Sequence, residues 1–313
     1  MKPMLASDYD ESKLVFPLVA QPKIDGVRCL NIGGQFTGRS LKGHKNRFVT
    51  ARYSVPELDW LDGEAAAEHE CHPDLCRITS SALSTIEGEP YILWHLFDDF
   101  SPHLADKPYL HRLDQLIERH ARLQSEVPHL WPHLRVVPWI VVGSLDHLLE
   151  VDALWLSQGY EGTITRSTKA KHKQGRSTVR EGGLLRIKRF VDFEFRAHTI
   201  IEGEENQNEA TINALGLTER STHQANMVPN GMVGAILGTT LDVVRDGDAV
   251  LFEEGAEVRV GAGCLTHDQR RYYFENQAEF FALTHKAKFF PKGIKDKPRF
   301  PTWQGFRDSA DMS

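Results

Sequence analysis

The sequence predicts an α+β domain of mainly antiparallel strands, followed by a smaller all-β domain closed into a barrel. Three observations carry that prediction. Residues 1–190 alternate short aliphatic or aromatic runs with two helical patterns, whereas residues 191–313 hold strand-like runs and one helical one. The length, 313 residues, allows two domains at roughly 150 residues each. Charge divides at the same place: 24 Lys+Arg balance 24 Asp+Glu in residues 1–190, while 13 against 19 in 191–313 account for the whole net charge of −6.

In the first domain, Leu14–Gln21, Gly26–Ile32, Tyr91–Phe97, Arg135–Val142, Glu161–Arg166 and Leu184–Phe190 read as strands, being short and rich in aliphatic or aromatic residues. Tyr109–Leu123 reads as a helix, with Leu110, Leu113, Leu116, Ile117 and Leu123 at helical spacing. Leu145–Ser157 reads as another, between the N-cap Ser144 and Gly159. The boundary falls near Val191. Beyond it, Phe193–Ile201, Met232–Leu237, Asp248–Phe252 and Ala256–Gly261 read as strands and His267–His285 as one helix, a content that fits a small barrel such as the OB-fold. Residues 203–230 are polar, contain Gly203, Gly216 and Pro229, and read as a long inserted loop.

Composition excludes several classes. At 41% hydrophobic and 26% charged the chain suits a globular protein rather than a disordered or fibrous one. No run approaches the roughly 20 apolar residues of a membrane span, and the first residues, MKPMLASDYDESK, lack the apolar core of a secretory signal. Four cysteines do not make a disulfide scaffold. The net charge argues against a globally basic coat, but residues 166–189 hold nine basic residues and one acidic, and 286–307 seven and one. Such stretches suit local phosphate contacts.

Chemistry concentrates at strand ends. Lys23-Ile24-Asp25-Gly26-Val27-Arg28 places a lysine after a strand and before a turn pair. Leu61-Asp62-Gly63-Glu64 and Glu161-Gly162-Thr163 supply carboxylates, and Trp94-His95-Leu96-Phe97-Asp98 an aromatic. In Leu184-Leu185-Arg186-Ile187-Lys188 the two cations share one strand face. Lysine, carboxylates, aromatic and cations together suit a nucleotide: base against ring, ribose or Mg²⁺ on carboxylates, phosphates on cations.

The order and spacing of these segments resemble the covalent nucleotidyltransferase superfamily, and within it the minimal ATP-dependent DNA ligases of viruses and bacteria. Lys23 to Arg28 resembles the family's K-x-D-G-x-R motif, whose lysine becomes adenylylated. Thr37-Gly38-Arg39-Ser40 is similar to the next, whose arginine meets a DNA 5′-phosphate, and Leu61 to Glu64 to the third. Phe97 stands where the family stacks adenine, and Glu161 falls in a metal-binding motif. Leu184 to Lys188 resembles the fifth, with Arg186 where a lysine is usual, which makes Lys188 the safer contact for the α-phosphate. Arg299-Phe300-Pro301-Thr302-Trp303-Gln304-Gly305-Phe306-Arg307 resembles the sixth, and Glu219 to Gly234 the DNA-encircling latch of small ligases.

The resemblance implies an ATP-grasp-like nucleotidyltransferase domain of antiparallel sheets with helices (1–190), then an all-β OB-fold domain (191–313) with a latch near 203–230. It implies Lys23, Lys188 and Arg186 as catalytic, and Gln21, Pro22, Lys23, Arg28, Glu64, Phe97, Lys188 and Arg299 as nucleotide-binding. Glu64 and Glu161 would hold Mg²⁺, for which Mn²⁺ can substitute. Arg39, Lys42, Arg176, Arg220, His223 and Arg307 would contact DNA. The implied protein is a monomer in the cytoplasm of a bacterium or phage-infected cell, sealing nicked double-stranded DNA with ATP. A hinge near Val191-Asp192 would let the second domain close over ATP and then swing to DNA, and mainly backbone contacts would make sealing fall steeply with salt.

Other readings differ in what they leave unused. An RNA ligase or an mRNA-capping guanylyltransferase shares the fold, and Arg28, the latch-like segment and Arg299–Arg307 favour DNA. A non-catalytic OB-fold nucleic-acid-binding protein has no need of Lys23, Glu64 or Glu161. A metal nuclease using Asp62 and Glu64 leaves Lys23 and Lys188 unexplained. Cys71 and Cys76 stand near His69 and His72, but all four crowd into eight residues, where zinc sites separate their ligand pairs, so a polar loop is expected.

Overall fold

A computed structural model describes residues 1–187, 189–294 and 297–307, and of residues 292–294 and 297–300 the backbone only. Lys188, expected to be catalytic, and the side chain of Arg299 lie outside the described residues. The chain is a mixed α/β protein built mostly of sheets, and falls into two compact units, Met1–Lys188 and Arg189–Ser313. Among the described residues no helix is long and apolar enough to cross a membrane.

The first unit holds two five-stranded sheets. One runs Ser7–Asp8, Leu185–Ile187, Gly162–Ser167, Leu18–Lys23, Ile140–Val142. The other runs Gln35–Gly38, Val27–Ile32, Leu61–Ala66, Leu93–Asp99, Leu134–Val136. The helix Leu145–Ser157 packs Leu148, Val151 and Trp155 against Leu18, Ala20 and Ile187 of the first sheet. The helix Tyr109–Glu126 packs Leu113, Leu116 and Leu123 into the core of the second, around the fully buried Trp94.

The backbone crosses between the sheets twice. It leaves the first sheet at Lys23 and enters the second at Val27. Gly26 is required in this crossing, because a Cβ there would run into the carbonyl oxygen of Ala65. The second crossing corrects an expectation. Arg135–Val142 is not one strand but two, Leu134–Val136 in the second sheet and Ile140–Val142 in the first. Pro138 lies between them and cannot donate to a ladder.

Two helices escaped the sequence reading. Arg47–Tyr53 is capped by Asn46, whose side chain accepts from the Val49 N–H. Leu75–Ser84 takes up Cys76 from the expected polar loop. Its composition, rich in Ser, Thr and Cys, is a poor helix former, and the buried Leu75, Thr79 and Leu83 hold it in place. The strand expected over Leu14–Gln21 begins only at Leu18, after a short 3₁₀ turn at Glu11–Lys13.

The second unit is a closed five-stranded barrel of Val191–Asn206, Met227–Thr240, Glu257–Gly261, Lys297–Phe306 and Thr284–Ile294. Its core includes Phe195, Ile236, Val260, Phe280 and Phe289. The single helix expected over His267–His285 is two, His267–Glu275 and Gln277–Phe281. Asn276 breaks them with a non-helical backbone, its N–H and side chain both bonded to the Tyr272 carbonyl, and Thr284 already starts a barrel strand. The expected loop 203–230 is instead a β arm. The first two barrel strands run on as a ladder to the pair Asn206↔Met227, and a small hairpin of Ala210–Ile212 with Thr218–Arg220 follows.

Candidate active site

A cavity with about 560 Å³ of empty space, including its open mouth, lies where the first unit's sheets meet. Gln21, Pro22, Lys23, Ile24, Arg28, Glu64, Phe97, Val137, Ile164 and Arg166 are among its lining. Ile24 and Val137 come from the two crossings. Sequence reasoning missed them because a crossing has no periodicity of its own.

Register explains how the side chains converge. On the first sheet Gln21 pairs with Ile164, and Lys23 with Gly162. Paired residues share a face, and so do residues two apart. Gln21, Lys23, Ile164 and Arg166 therefore look one way. On the second sheet Arg28 lies opposite Glu64, with Asp62 two residues before it on the same face. Phe97 occupies a β-bulge: Asp98 pairs with Asp62 and Leu96 with Gly63, leaving Phe97 between them without a partner. A bulge re-aims a side chain, which brings Phe97 to the cavity while Asp98 is buried.

The charges are tightly arranged. The Lys23 ammonium is paired with the Glu161 carboxylate. Arg28 donates to both oxygens of Asp62, at 2.9 Å from Nε and 2.5 Å from Nη2, and to the Met4 carbonyl at 2.6 Å. Asp98, 1% exposed, accepts from Arg112 at 2.9 and 3.0 Å and from Arg166 at 2.7 Å. Burial works against its charge, yet Arg112 and Arg166 hold its carboxyl well below the usual range. The Arg28 and Arg166 guanidiniums lie 5.4 and 5.2 Å from the centre of the Phe97 ring. Burial pushes the Glu64 carboxyl up to about 8, with Lys23 and Arg28 opposing and Asp62 and Glu161 adding to the rise.

Glu64 and Glu161 could hold a divalent cation. Hard cations of the Mg²⁺ kind take one or two carboxylates and fill their shell with phosphate oxygens and water. The anionic surroundings that help raise Glu64 fit such an ion. Among the described residues no cluster of three or more His, Cys, Asp or Glu could hold a metal by itself.

Other expected site residues lie elsewhere. Arg186 is absent from the cavity lining and instead pairs with Asp8 on the neighbouring strand. Arg39 and Lys42 are exposed on the turn after Gln35–Gly38, closed by the Gly38 N–H on the Lys42 carbonyl at 2.9 Å. Arg176 is exposed and donates to the Ala6 carbonyl at 2.5 Å. Arg220 and His223 lie in the arm, where Arg220 donates to the Asn208 carbonyl and His223 accepts from the Ala225 N–H at 3.4 Å. Arg307 pairs with Glu194 at 2.5 Å. The basic stretch 166–189 is only partly a surface: Arg166 is buried, and Lys173 is paired with Glu181.

Comparisons with known proteins bear on the fold. No protein-family model matches the chain, and no curated protein sequence matches it. Solved structures do. The Chlorella virus DNA ligase-adenylate is 25% identical over 98% of this chain and 99% of its own, with a TM-score of 0.51. A Lig E DNA ligase, described as binding DNA with a minimal scaffold, is 20% identical over 98% and 99%, with a TM-score of 0.66. The ATP-dependent DNA ligase of bacteriophage T7, solved with ATP, is 15% identical over 98% of both chains, with a TM-score of 0.50.

Proposed function

We propose that this chain is an ATP-dependent DNA ligase of minimal size, and that the cavity of its first unit takes ATP. One observation carries the reading. Lys23, paired with Glu161, lies at a cavity that also presents Phe97 and Glu64, within a fold shared with DNA ligases along nearly its whole length.

The residues divide the work by chemistry. Phe97, Ile24 and Val137 form an apolar slot for a base. Gln21 and Arg166 add polar groups to it: both line the cavity, and Arg166 Nε is buried without a protein partner. Pro22 and Arg28 complete the walls beside ribose and phosphates. The Lys23 nitrogen, deprotonated and parted from Glu161, forms a bond to the α-phosphorus while the bond to the pyrophosphate oxygen breaks. The products are lysyl-AMP and pyrophosphate. AMP then passes to a DNA 5′-phosphate, and a 3′-hydroxyl displaces it to close the backbone. Mg²⁺ held by Glu64 and Glu161 would neutralise phosphate charge when bound. Lys188, following the strand Leu185–Ile187, is assigned to the α-phosphate, and Arg299 to the sixth motif. Arg186, tied to Asp8, is reassigned as a structural cation.

We read 1–190 as the adenylation domain and 191–313 as an OB domain. Its five-stranded barrel, with helices between the third and fourth strands in chain order, supports this. The arm is read as a DNA latch. It holds four glutamates against one arginine, so its charged phosphate contacts fall to Arg220, with His223 beside it. Arg39, Lys42, Arg176 and Arg307 are assigned to the DNA backbone. The enzyme acts as a monomer on nicked duplex DNA in a reducing cytoplasm.

The test is covalent labelling. Incubation with Mg²⁺ and α-labelled ATP should leave label on the denatured protein, lost in Lys23→Ala, and the labelled enzyme should seal a nicked duplex. Absence of any labelled protein would refute the assignment.

A further inference from the structure

Tyr109 opens the helix Tyr109–Glu126 and is fully buried. Its phenol oxygen lies 2.7 Å from the Phe97 carbonyl oxygen and 2.8 Å from Gln21 Oε1 as the amide is placed. A phenol has one proton to give, and its oxygen can also accept. Burial raises the Tyr109 phenol well above its ordinary value, so the proton stays. The Phe97 carbonyl can only accept, so the proton goes there. The phenol oxygen then faces Gln21 as an acceptor, and the amide must meet it with its NH₂. The placement with Oε1 at the phenol sets two acceptors against one proton and leaves the Gln21 Nε2 buried with no partner, so the amide is turned end for end, its O and N being interchangeable by shape. The end of the amide left for the cavity is the carbonyl Oε1. Gln21 is 2% exposed, lines the cavity and shares its sheet face with Lys23, Ile164 and Arg166.

We propose that Tyr109 is a positioning residue that selects the nucleobase: by holding the Gln21 amide nitrogen it turns the Gln21 carbonyl into the cavity, as an acceptor. Adenine offers that acceptor its exocyclic amino group. Guanine offers a carbonyl at the same position, acceptor against acceptor. Arg166 strengthens the match. Its Nε is buried without a partner and supplies a donor for a ring nitrogen, while Asp98 holds the rest of the guanidinium. An acceptor beside a donor is the complement of adenine's pairing edge. The inference rests on the nucleotide reading above and adds how the base is chosen.

The experiment measures kcat/KM for label transfer from α-labelled ATP and from α-labelled GTP to the purified full chain. The wild type should favour ATP. Tyr109→Phe should lower the ATP-to-GTP ratio by about tenfold or more, the scale of one directional hydrogen bond. Simple loss of packing would slow both nucleotides alike and leave the ratio fixed. Gln21→Leu is an independent arm: it should lower the ratio likewise, and combining it with Tyr109→Phe should bring no further fall. A wild-type ratio in either single variant overturns the proposal. Equal labelling of the wild type by both nucleotides also overturns it while sparing the lysyl-nucleotide chemistry. No labelling of the wild type by either nucleotide removes both.

Discussion

Lys23 and Glu161 are tied twice. The Glu161 N–H donates to the Lys23 carbonyl at 3.0 Å, and the Lys23 ammonium is bound by the Glu161 carboxylate. Both side chains are mostly buried, 20% and 12% exposed, so the pair is fixed by the sheet rather than by chance encounter of flexible arms. It places the anion against the atom that must react. Lys23→Arg keeps a cation there but removes the nucleophile, and should abolish label transfer while the protein still melts cooperatively. Glu161→Gln should slow labelling by about 10²–10³-fold, the usual cost of one preorganised electrostatic group. A Glu161→Gln enzyme labelling within twofold of wild type would make the pair structural only.

Glu64 sets a pH dependence of opposite sign to that of an ordinary paired carboxylate. Burial lifts it to about 8 in the folded chain, above the ordinary value of 4.5. Between those values the native state binds more protons than the unfolded one. Stability from this group is therefore full below about 4.5 and is lost as pH rises towards 8. Glu64→Gln should flatten the Tm profile between pH 5 and 8, at about 2–4 °C per kcal/mol for a domain this size. The same substitution should weaken the Mg²⁺ dependence of labelling. Thermal melts at five pH values, with and without the substitution, decide it.

Asp98 carries the opposite sign. Arg112 and Arg166 hold it below the usual carboxylate range despite its burial, so its contribution is present above the unfolded value of 3.8 and is lost only as pH falls below that. Removing it leaves two buried guanidiniums short of an acceptor. Asp98→Ala should cost about 3–5 kcal/mol, and loosening Arg166 should raise KM for ATP as well. Denaturant unfolding together with labelling kinetics tests both effects. An unchanged KM in a destabilised protein would confine Asp98 to the core.

How much of this was legible in the sequence varies with the physical signal. Lys23, Glu64 and Phe97, which line the cavity, and Glu161, which pairs with Lys23, are legible as candidates because each sits in a short motif at or near a strand end, and sheet pairing then brings strand ends together. Helix Leu145–Ser157 was found at both ends because Ser144 caps it and Gly159 follows it. The Asp98–Arg112–Arg166 network was missed because charged residues are expected outside. A signal existed: Tyr109, Arg112, Leu113 and Leu116 occupy positions i, i+3, i+4 and i+7 of one helix, so Arg112 lies on the buried face. Arg166 was counted with a basic surface because its neighbours in sequence, not its partner across the fold, were visible. The role of Tyr109 depends on a carbonyl and an amide from two other strands, and no local pattern encodes that.

His285 gives the barrel an acid limit of its own. It is fully buried and lies among the rings of Phe195, Phe280 and Phe306. The Trp303 Nε1–H donates to its Nδ1 at 3.2 Å, which fixes the other proton on Nε2, facing the Phe280 carbonyl at 3.0 Å. Both ring nitrogens are used in the neutral form, and a second proton would set Nδ1–H against the indole N–H. Burial accordingly lowers the imidazole to about 4, against an ordinary 6.5. Between those values the unfolded chain binds more protons, so stability falls as the pH drops from 6.5 towards 4. The loss should reach on the order of 3 kcal/mol by the lower end, at about 1.4 kcal/mol per pH unit. His285→Phe removes the proton site and the acceptor for Trp303 together. It should lower stability at pH 7.5 by about 1–3 kcal/mol for the unpaired indole and shrink the decline between pH 6.5 and 4. Chemical denaturation followed by tryptophan fluorescence at both ends of that window provides the check. A variant that kept the full wild-type decline would place the acid-sensitive group elsewhere.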